Sequence, residues 1–477
     1  MAEFKSCIFI MADGARADLF VELLQRGDLP NISKYIVEKG VFRNAVSVFP
    51  STTGPAYTPF IMGKFPGRCN LPGIRWFDRE VYGKKIFSLY RARSYVGIEG
   101  FLMNRDVFKD TPTLFEIFPR NVSILNELSR GVSNGGDKTK FLRIYYKMKS
   151  HFTSRCDEVD IAARRILLSS LSDFPQFAYV VFLGIDTYSH FNHPFHSKVI
   201  DAYMRIDESI GLLAKALEGE GRLDETLIVV TSDHGLTQTH SHFDTLEFMN
   251  RAGFKTFYYP NIFKYYRDAD AANMVSGNAM THVYIKSPDG WGRRSTFGEM
   301  TSVVERLLER PEVDIVAGLD ENGRVRIRSE RGEALAWQDS DGYLFYDRVY
   351  SDPFGYNGFP GKMNVDEALE HSFSTDYPDG ILQIIQLLES PRSGELVVSA
   401  KRGFDFRAKH EKPEHCSSHG ALFSEHIIVP LCLNIKVERE FVRTVDIYPT
   451  ILDLLGYSVP TGIDGVSLVE CGVKSQQ

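Results

Sequence analysis

The sequence predicts an α/β protein with a mostly parallel sheet and a second region inserted late in the chain. Three apolar runs, at residues 7–12, 177–185 and 226–232, are short, rich in β-branched or aromatic residues, and bounded by polar ones. Such runs are typical of strands buried inside a parallel sheet. Because helix-like segments lie before the second run and between the last two, we expect helices layered on this sheet.

Two segments carry the helical pattern, residues 157–174 and 197–219. In the second segment the apolar residues fall on one stripe of a helix with about 3.6 residues per turn. These residues are Ile200, Ala202, Tyr203, Ile206, Ile210, Leu213 and Ala214. The stripe predicts an amphipathic helix that packs on the sheet.

The sequence pattern changes after residue 240. Aromatic and charged clusters and strand pairs around turns replace the alternation, which resumes with a strand pattern at 426–435 and a helix pattern at 446–456. We therefore expect a core formed by residues 1–240 and 406–477. Residues 241–405 are expected to form an inserted α+β cap.

Composition excludes several classes of function. The chain has 477 residues, 43% of them hydrophobic and 25% charged, with a net charge of -7. This balance is ordinary for a globular protein and gives no reason to expect a nucleic acid polymer as partner. No apolar stretch is long enough to cross a membrane, so no membrane partner is expected. The first residues lack the pattern of a signal peptide, which predicts a cytoplasmic location.

Acidic residues and histidines follow the predicted core strands. In chain order they are Asp13, Asp186, His190, Asp233, His234 and His419. Since the carboxyl ends of parallel strands meet at one edge of a sheet, these side chains can converge. Mixed carboxylates and imidazoles suit two transition-metal ions of the zinc or manganese type. A turn at Asp13 and a loop position for His190 are the alternative roles.

Three hydroxyls, Ser51, Thr52 and Thr53, precede Gly54 and Pro55 between a strand pattern and a predicted helix. A hydroxyl at such a junction faces free backbone N–H groups and the positive end of the helix dipole, which favour an alkoxide and a phosphoryl oxygen. Helix capping is the alternative, because Thr is a common N-cap residue. The pattern leaves both roles open.

Together these motifs match a known family. The chain resembles the alkaline phosphatase superfamily, and within it the type I phosphodiesterase/nucleotide pyrophosphatase branch. The matching segments are MADGARAD, VFPSTTGPAYTPFIMGKFPG, DTYSH, TSDHG, SSHGAL and VRTVDIYPTILDLLGYSVPTGIDGVSL. The resemblance implies an alkaline-phosphatase-like three-layer α/β/α sandwich with a mostly parallel central sheet and an inserted cap.

The resemblance also implies a two-metal site, with zinc as the expected metal and manganese as the alternative. One ion would be held by Asp186, His190 and His419. The other would be held by Asp13, Asp233, His234 and the oxygen of Thr53. Thr53 stands where this branch has its nucleophile, so a covalent phosphothreonine intermediate is implied.

The substrate side departs from the family pattern. The position at which the branch has an Asn that binds a phosphoryl oxygen is Ile74 in this chain. Asn70 and Arg75 are candidate replacements, and a structural role is the alternative for both. His240 and His242 are candidates to line the substrate pocket, with a solvated loop as the alternative.

We therefore expect a metal-dependent phosphodiesterase that hydrolyses a small phosphodiester or nucleotide pyrophosphate. One alternative is a phosphomonoesterase, which needs extra cations near the transferred group; Arg75, Lys138 and Lys140 are candidates for this role. A phosphoryl or headgroup transferase is a further alternative, since it shares the first half of the reaction. The expected partner is a small-molecule phosphate ester.

Overall fold

The computed structural model describes residues 4–84, 89–153, 155–259, 264–265, 267–408 and 414–469. Its central sheet has seven strands. From one edge to the other they are Val442–Arg443, Val41–Val46, Ile428–Leu433, Thr226–Thr231, Ser6–Ala12, Phe177–Phe182 and Asn121–Ile124. Neighbouring strands are parallel except at Ile428–Leu433, which is antiparallel to both neighbours. The predicted mostly parallel sheet is confirmed.

Burial explains why the central strands read as continuous apolar runs. Every residue of Phe177–Phe182 and of Thr226–Thr231 is buried, and so is all of Ser6–Ala12 except its first residue. Both faces of these strands are therefore covered, as is usual for parallel strands. The rings of Phe9 and Tyr179, on neighbouring strands, stack with centroids 4.8 Å apart.

Helices pack around this sheet. The longer ones are Ala17–Arg26, Arg143–Thr153, Cys156–Ser170, Gly184–Phe191, Ser197–Gly219 and Ile447–Leu454. Ser197–Gly219 has the predicted bounds, and Ile206, Ile210 and Leu213 of its apolar stripe are buried. The predicted helix at 157–174 ends earlier, at Ser170, and continues as the 3₁₀ turn Leu171–Asp173.

The residues between 256 and 400 form a second, mostly antiparallel sheet of ten strands. Its main path is Thr256–Tyr258, Ala271–Ser276, Met280–Ser287, Leu396–Ala400, Val313–Leu319, Val325–Ser329, Glu333–Gln338, Leu344–Arg348 and Lys362–Met363, with Gly290–Arg294 paired to Met280–Ser287. The helices in this region are Thr245–Arg251, Thr301–Leu308, Val365–Ser372 and Gly380–Glu389. The proposed domain boundaries stay a prediction.

Two short strand pairs lie at the limits of this second region. Ser241–His242 pairs with Phe404–Asp405, and Thr237–Gln238 pairs with Ser417–Ser418 just before His419. Across the part of the chain that the structure describes, no helix has the length and apolarity to cross a bilayer.

Candidate active site

The predicted ligands meet at one edge of the central sheet. Asp13 directly follows Ser6–Ala12, and Asp233 follows the strand Thr226–Thr231 closely. Because Ile428–Leu433 runs in the opposite direction, with Ile428 paired to Val46, its amino end lies at the same edge. This reversal brings His419, which precedes that strand in the chain, to the carboxyl ends of the parallel strands.

Asp13 and Asp186 are held together through the backbone. The N–H of Asp186 donates to the carbonyl oxygen of Asp13 over 3.0 Å. Gly14 has a φ of +76°, and a Cβ at this position would lie 2.9 Å from the Cα of Asp186. Only glycine therefore permits this approach of the two strand ends without strain.

The helix Gly184–Phe191 carries the next two candidates. Asp186 and His190 are four residues apart and lie on one face of it, with His190 Nε2 3.2 Å from Asp186 Oδ1. Asp160 Oδ1 accepts a hydrogen bond of 2.9 Å from the N–H of Leu183, which fixes the start of this helix.

The three predicted histidine ligands share one feature: each points its Nδ1 atom at a backbone carbonyl oxygen. The distances are 2.8 Å for His190 to Ser417, 3.2 Å for His234 to Gly235 and 2.9 Å for His419 to Ser51. Since a carbonyl only accepts, Nδ1 carries the proton and Nε2 presents a lone pair. Metal-binding imidazoles are commonly oriented in this way.

The ligand atoms form two overlapping groups. Atoms of Asp186, His234 and His419 lie within 4.8 Å of one another, and so do atoms of Asp13, Asp233 and His234. His234 belongs to both groups, and its ring stacks on that of His419 with centroids 3.8 Å apart. His190 joins the first group through Asp186.

The electrostatics of the cluster disfavour ionisation of all three carboxylates at once. Burial and the charge of Asp233 raise the pKa of Asp13 well above its ordinary value. Burial likewise raises the pKa of Asp233, and Asp186 adds to this. Burial opposes ionisation of Asp186 as well, but His190 and His419 lower its pKa. Three clustered carboxylates repel one another when all are ionised, unless positive charge is placed among them.

The surroundings of two carboxylate oxygens indicate whether metal ions fit this cluster. Asp186 Oδ1 and Asp233 Oδ2 are buried and have no hydrogen-bond partner among the described residues. Asp186 Oδ1 also lies 3.2 Å from Nε2 of His190, a contact that either a cation bound to both atoms or a proton on Nε2 satisfies. Nitrogen and oxygen donors in this arrangement fit divalent ions of the zinc type.

The hydroxyl of Thr53 lies against both kinds of ligand. Its Oγ1 is 3.3 Å from Asp13 Oδ1 and 3.1 Å from His234 Nε2. The preceding strand ends at Val46, and a 3₁₀ turn begins at Pro55 with Gly54 as the residue before it. The Thr53 side chain therefore does not cap the helix and faces the ligand cluster instead.

The neighbouring hydroxyls fix the loop that carries Thr53. Ser51 Oγ donates to the carbonyl of Ala421 and accepts from the N–H of Gly420, which ties the loop to the segment of His419. Ser47 Oγ donates to the carbonyl oxygen of Asp233. Both serines thus link the loop of Thr53 to a segment that carries predicted metal ligands.

Two buried glutamines hold the same loop from the other side. On helix Gly380–Glu389, Gln383 Oε1 accepts from the N–H of Phe49 over 2.8 Å, and Gln386 Nε2 donates to the Phe49 carbonyl over 2.7 Å. Gln386 Oε1 also accepts from the N–H of Gly67. Both side chains are fully buried, so these bonds fix the backbone shortly before Thr53.

The first two substrate-side candidates contact the second region. Asn70 is buried; its Oδ1 accepts from Ser390 Oγ and its carbonyl from Arg392. The Arg75 guanidinium lies 5.5 Å from the ring centre of Tyr259. Asn70 thus has the contacts of a residue that joins the two sheets.

The two histidine candidates lie at the junction near residue 404. His240 is exposed and packs beside Gly403. His242 Nδ1 donates to Asp405 Oδ1 over 2.7 Å, and its Nε2 lies 3.3 Å from Glu414. In the described structure neither histidine contacts Thr53 or a predicted metal ligand. Their proposed role in substrate binding stays a prediction.

One pair near Thr53 was not found from the sequence. The ammonium of Lys147 contacts the carboxylate of Glu127, which is buried beside Gly54. Nothing in the local sequence distinguishes these residues from surface charges. The absence of acidic residues between 138 and 155 is the only signal that could have directed attention to this helix. Lys140, a predicted cation, lies instead 5.8 Å from the ring centre of Phe141.

Comparison with known proteins agrees with this geometry. Residues 7–422 match the model of the family "Type I phosphodiesterase / nucleotide pyrophosphatase". No curated protein matches the sequence.

Similar solved structures include murine ectonucleotide pyrophosphatase/phosphodiesterase 5, an inactive form in complex with AMP, with a TM-score of 0.53, 13% identity and coverage of 96% of both chains. Phosphonoacetate hydrolase from Sinorhizobium meliloti 1021, in complex with phosphonoformate, has a TM-score of 0.58 and 15% identity over 95% of this chain and 96% of its own. At these identities the two structures support the fold. The family match goes further: the chain belongs to the type I phosphodiesterase/nucleotide pyrophosphatase family, and it is a phosphoric ester hydrolase.

Proposed function

We propose that the protein is a metal-dependent phosphodiesterase that cleaves a small phosphodiester or nucleotide pyrophosphate with Thr53 as nucleophile. The observation that carries the proposal is the position of Thr53 Oγ1 between Asp13 Oδ1 and His234 Nε2. AMP in the murine structure and phosphonoformate in the bacterial hydrolase support a small ligand that bears a phosphoryl or phosphonyl group.

The proposed chemistry has two displacement steps. Thr53 Oγ1, oriented by Asp13 and His234, gives up its proton to water and attacks phosphorus while the bond to the leaving group breaks, and the departing alkoxide takes up a proton. Water then cleaves the Thr53–phosphorus bond, which releases the phosphate product and restores the hydroxyl. When bound, two divalent ions, zinc in our proposal and manganese as the alternative, supply Lewis acidity that lowers the hydroxyl pKa and neutralises phosphoryl charge.

The residues of the chain prepare this reaction. Ser51 and Ser47 fix the nucleophile loop against the ligand segments, and Gln383 and Gln386 hold its backbone. The backbone carbonyls at the three Nδ1 atoms keep each Nε2 turned inward. The cytoplasmic location and the absence of nucleic acid and membrane partners stay predictions.

A covalent intermediate tests the proposal directly. The enzyme is mixed with bis(p-nitrophenyl) phosphate, quenched in acid and digested with trypsin. We expect a nitrophenyl phosphate adduct on the peptide of residues 44–64, and fragmentation should assign it to Thr53. An unmodified peptide during turnover, or an adduct that persists in the Thr53→Ala variant, would contradict the proposal.

A phosphomonoesterase is a second candidate, and Lys147 favours it. A phosphomonoester carries one more negative charge than a diester, and a nearby ammonium compensates that charge. Relative turnover of p-nitrophenyl phosphate and bis(p-nitrophenyl) phosphate distinguishes the candidates. Faster cleavage of the monoester would favour the phosphomonoesterase.

A further inference from the structure

A carboxylate and an ammonium form an ion pair beside the nucleophile. Glu127 is 4% exposed, and its Oε1 contacts Nζ of Lys147. Its other oxygen, Oε2, would lie 3.3 Å from a Cβ placed on Gly54, the residue after Thr53. Glu127 Oε2 has no hydrogen-bond partner among the described residues. The pair therefore borders Thr53 and has hydrogen-bonding capacity to spare.

The helix that carries Lys147 is attached to the helix of two predicted ligands. Ser150 Oγ donates to Oγ1 of Thr187 over 3.0 Å, next to Asp186. Lys147 lies three residues before Ser150 and hence on the same face of helix Arg143–Thr153. This face is turned toward the cluster of carboxylates.

The charge of Lys147 acts on that cluster. Desolvation lowers the pKa of Lys147 to about 8, while Asp13, Asp186 and Asp233 each oppose this change. The ammonium is thus close enough to feel all three carboxylates.

We propose that Lys147, anchored by Glu127, binds a non-bridging oxygen of the phosphoryl group at Thr53. The proposal rests on the proposed function. An ammonium has three donors, and Glu127 uses one of them. Negative charge in phosphoryl transfer lies on the equatorial oxygens, which the remaining donors can stabilise.

Ile74 explains why such a donor is needed. Its side chain packs on the core and has no polar atom, and its backbone N–H already donates to Ser276 Oγ over 2.9 Å. A donor to the phosphoryl oxygen must therefore come from another part of the chain. Lys147 supplies it together with a full positive charge.

This charge defines the substrate class. A phosphomonoester dianion gains more from an ammonium than a diester monoanion does, because its non-bridging oxygens carry more charge. The site accordingly accepts phosphomonoesters in addition to diesters, and Lys147 sets the ratio between the two activities.

The test compares Lys147→Met with Lys149→Met in the metal-loaded enzyme. Lys149 lies on the same helix and pairs with Glu158 instead, and its replacement by Met removes the same charge. For Lys147→Met we expect kcat/KM to fall on the order of 100-fold with p-nitrophenyl phosphate and less than about tenfold with bis(p-nitrophenyl) phosphate. Lys147→Arg should recover part of the monoester activity, and Lys149→Met should leave both unchanged.

The outcomes separate the inference from the proposed function. If Lys147→Met leaves the ratio of the two activities unchanged while Thr53→Ala abolishes both, the inference is wrong and the proposed function stands. If Thr53→Ala retains both activities, the proposed function itself fails. Metal content and thermal unfolding of each variant show whether the site is intact.

If Lys147→Met fails to fold, inhibition by vanadate tests whether Lys147 binds the phosphoryl group. Vanadate adopts the geometry of the transferred phosphoryl group, so Glu127→Gln and Lys147→Arg should each weaken its inhibition of diester cleavage about tenfold. Unchanged inhibition in both variants would overturn the proposal.

Discussion

The predicted metal ligands and the predicted substrate residues are held in different ways. Each ligand follows a core strand or precedes one, and the backbone carbonyls of Asp13, Ser417 and Ser51 hold three of them in place, Asp186, His190 and His419. Asn70 instead contacts Ser390, in the second region of the chain. The ligand side of the site thus depends on the central sheet, and Asn70 depends on how the second region packs against that sheet.

The largest effect is expected on the ligand side, at the proposed nucleophile Thr53. Thr53→Ala should lower kcat by at least about a thousandfold, because an attacking oxygen is removed. Turnover of bis(p-nitrophenyl) phosphate measures this loss. Thr52→Ala is the matched control, since the adjacent hydroxyl has no hydrogen-bond partner among the described residues, and it should retain activity. Similar losses in both variants would place the effect in the loop rather than in the hydroxyl.

Metal removal tests the ligand side as a whole. Chelation should abolish turnover and lower the thermal unfolding temperature, because the carboxylates of Asp13, Asp186 and Asp233 then repel one another in a buried site. Addition of zinc or manganese should restore both properties. Scanning calorimetry and turnover report the two effects separately. Full activity in the chelated protein would contradict a metal site.

Gln383 tests whether the second region positions the nucleophile. Gln383→Leu keeps the size of the side chain but removes the bonds to Phe49, Ser47 and Asp379. We expect kcat to fall about tenfold with KM and metal content nearly unchanged, since the loop of Thr53 shifts and none of the three lost partners is a predicted metal ligand. The assay is run well below the unfolding temperature of the variant. A change in KM alone would argue for a direct role in substrate binding.

A pH dependence is expected for His242, on the substrate side. Its hydrogen bond to Asp405 raises the pKa of His242 above the ordinary value of 6.5. The protonated form is therefore favoured by folding, and this stability is complete below that value and lost as pH rises through the raised pKa. His242→Ala should lower the unfolding temperature more at pH 6 than at pH 9. An equal loss at both pH values would exclude this linkage.

The smallest effect is expected for His240. Its side chain is exposed and packs beside Gly403, so His240→Ala should change kcat/KM by less than about twofold. Measurement with both nitrophenyl esters covers monoester and diester activity. A larger loss of activity would support the predicted role of His240 in the substrate pocket.

The fold and the cluster of predicted ligands could be predicted from the sequence for physical reasons. Buried parallel strands must be apolar throughout, so polar residues at their ends stand out, as Asp13 and Asp233 do. The same reasoning did not locate Lys147, because a lysine within a helix carries no local sign of what its ammonium faces. Its placement depends on the contact of Ser150 with Thr187, which only the folded chain defines.

The hydrogen bonds that hold the loop of Thr53 also bear on when activity can appear during synthesis. Phe49 and Gln383 are 334 positions apart, and Ser51 and His419 are 368 apart. At translation rates of about 5–20 residues per second, the ribosome needs roughly 20 s or longer to deliver the later partners. We therefore expect a nascent chain that displays Thr53 but has not yet reached His419 to be inactive, because the later partners of the loop are absent.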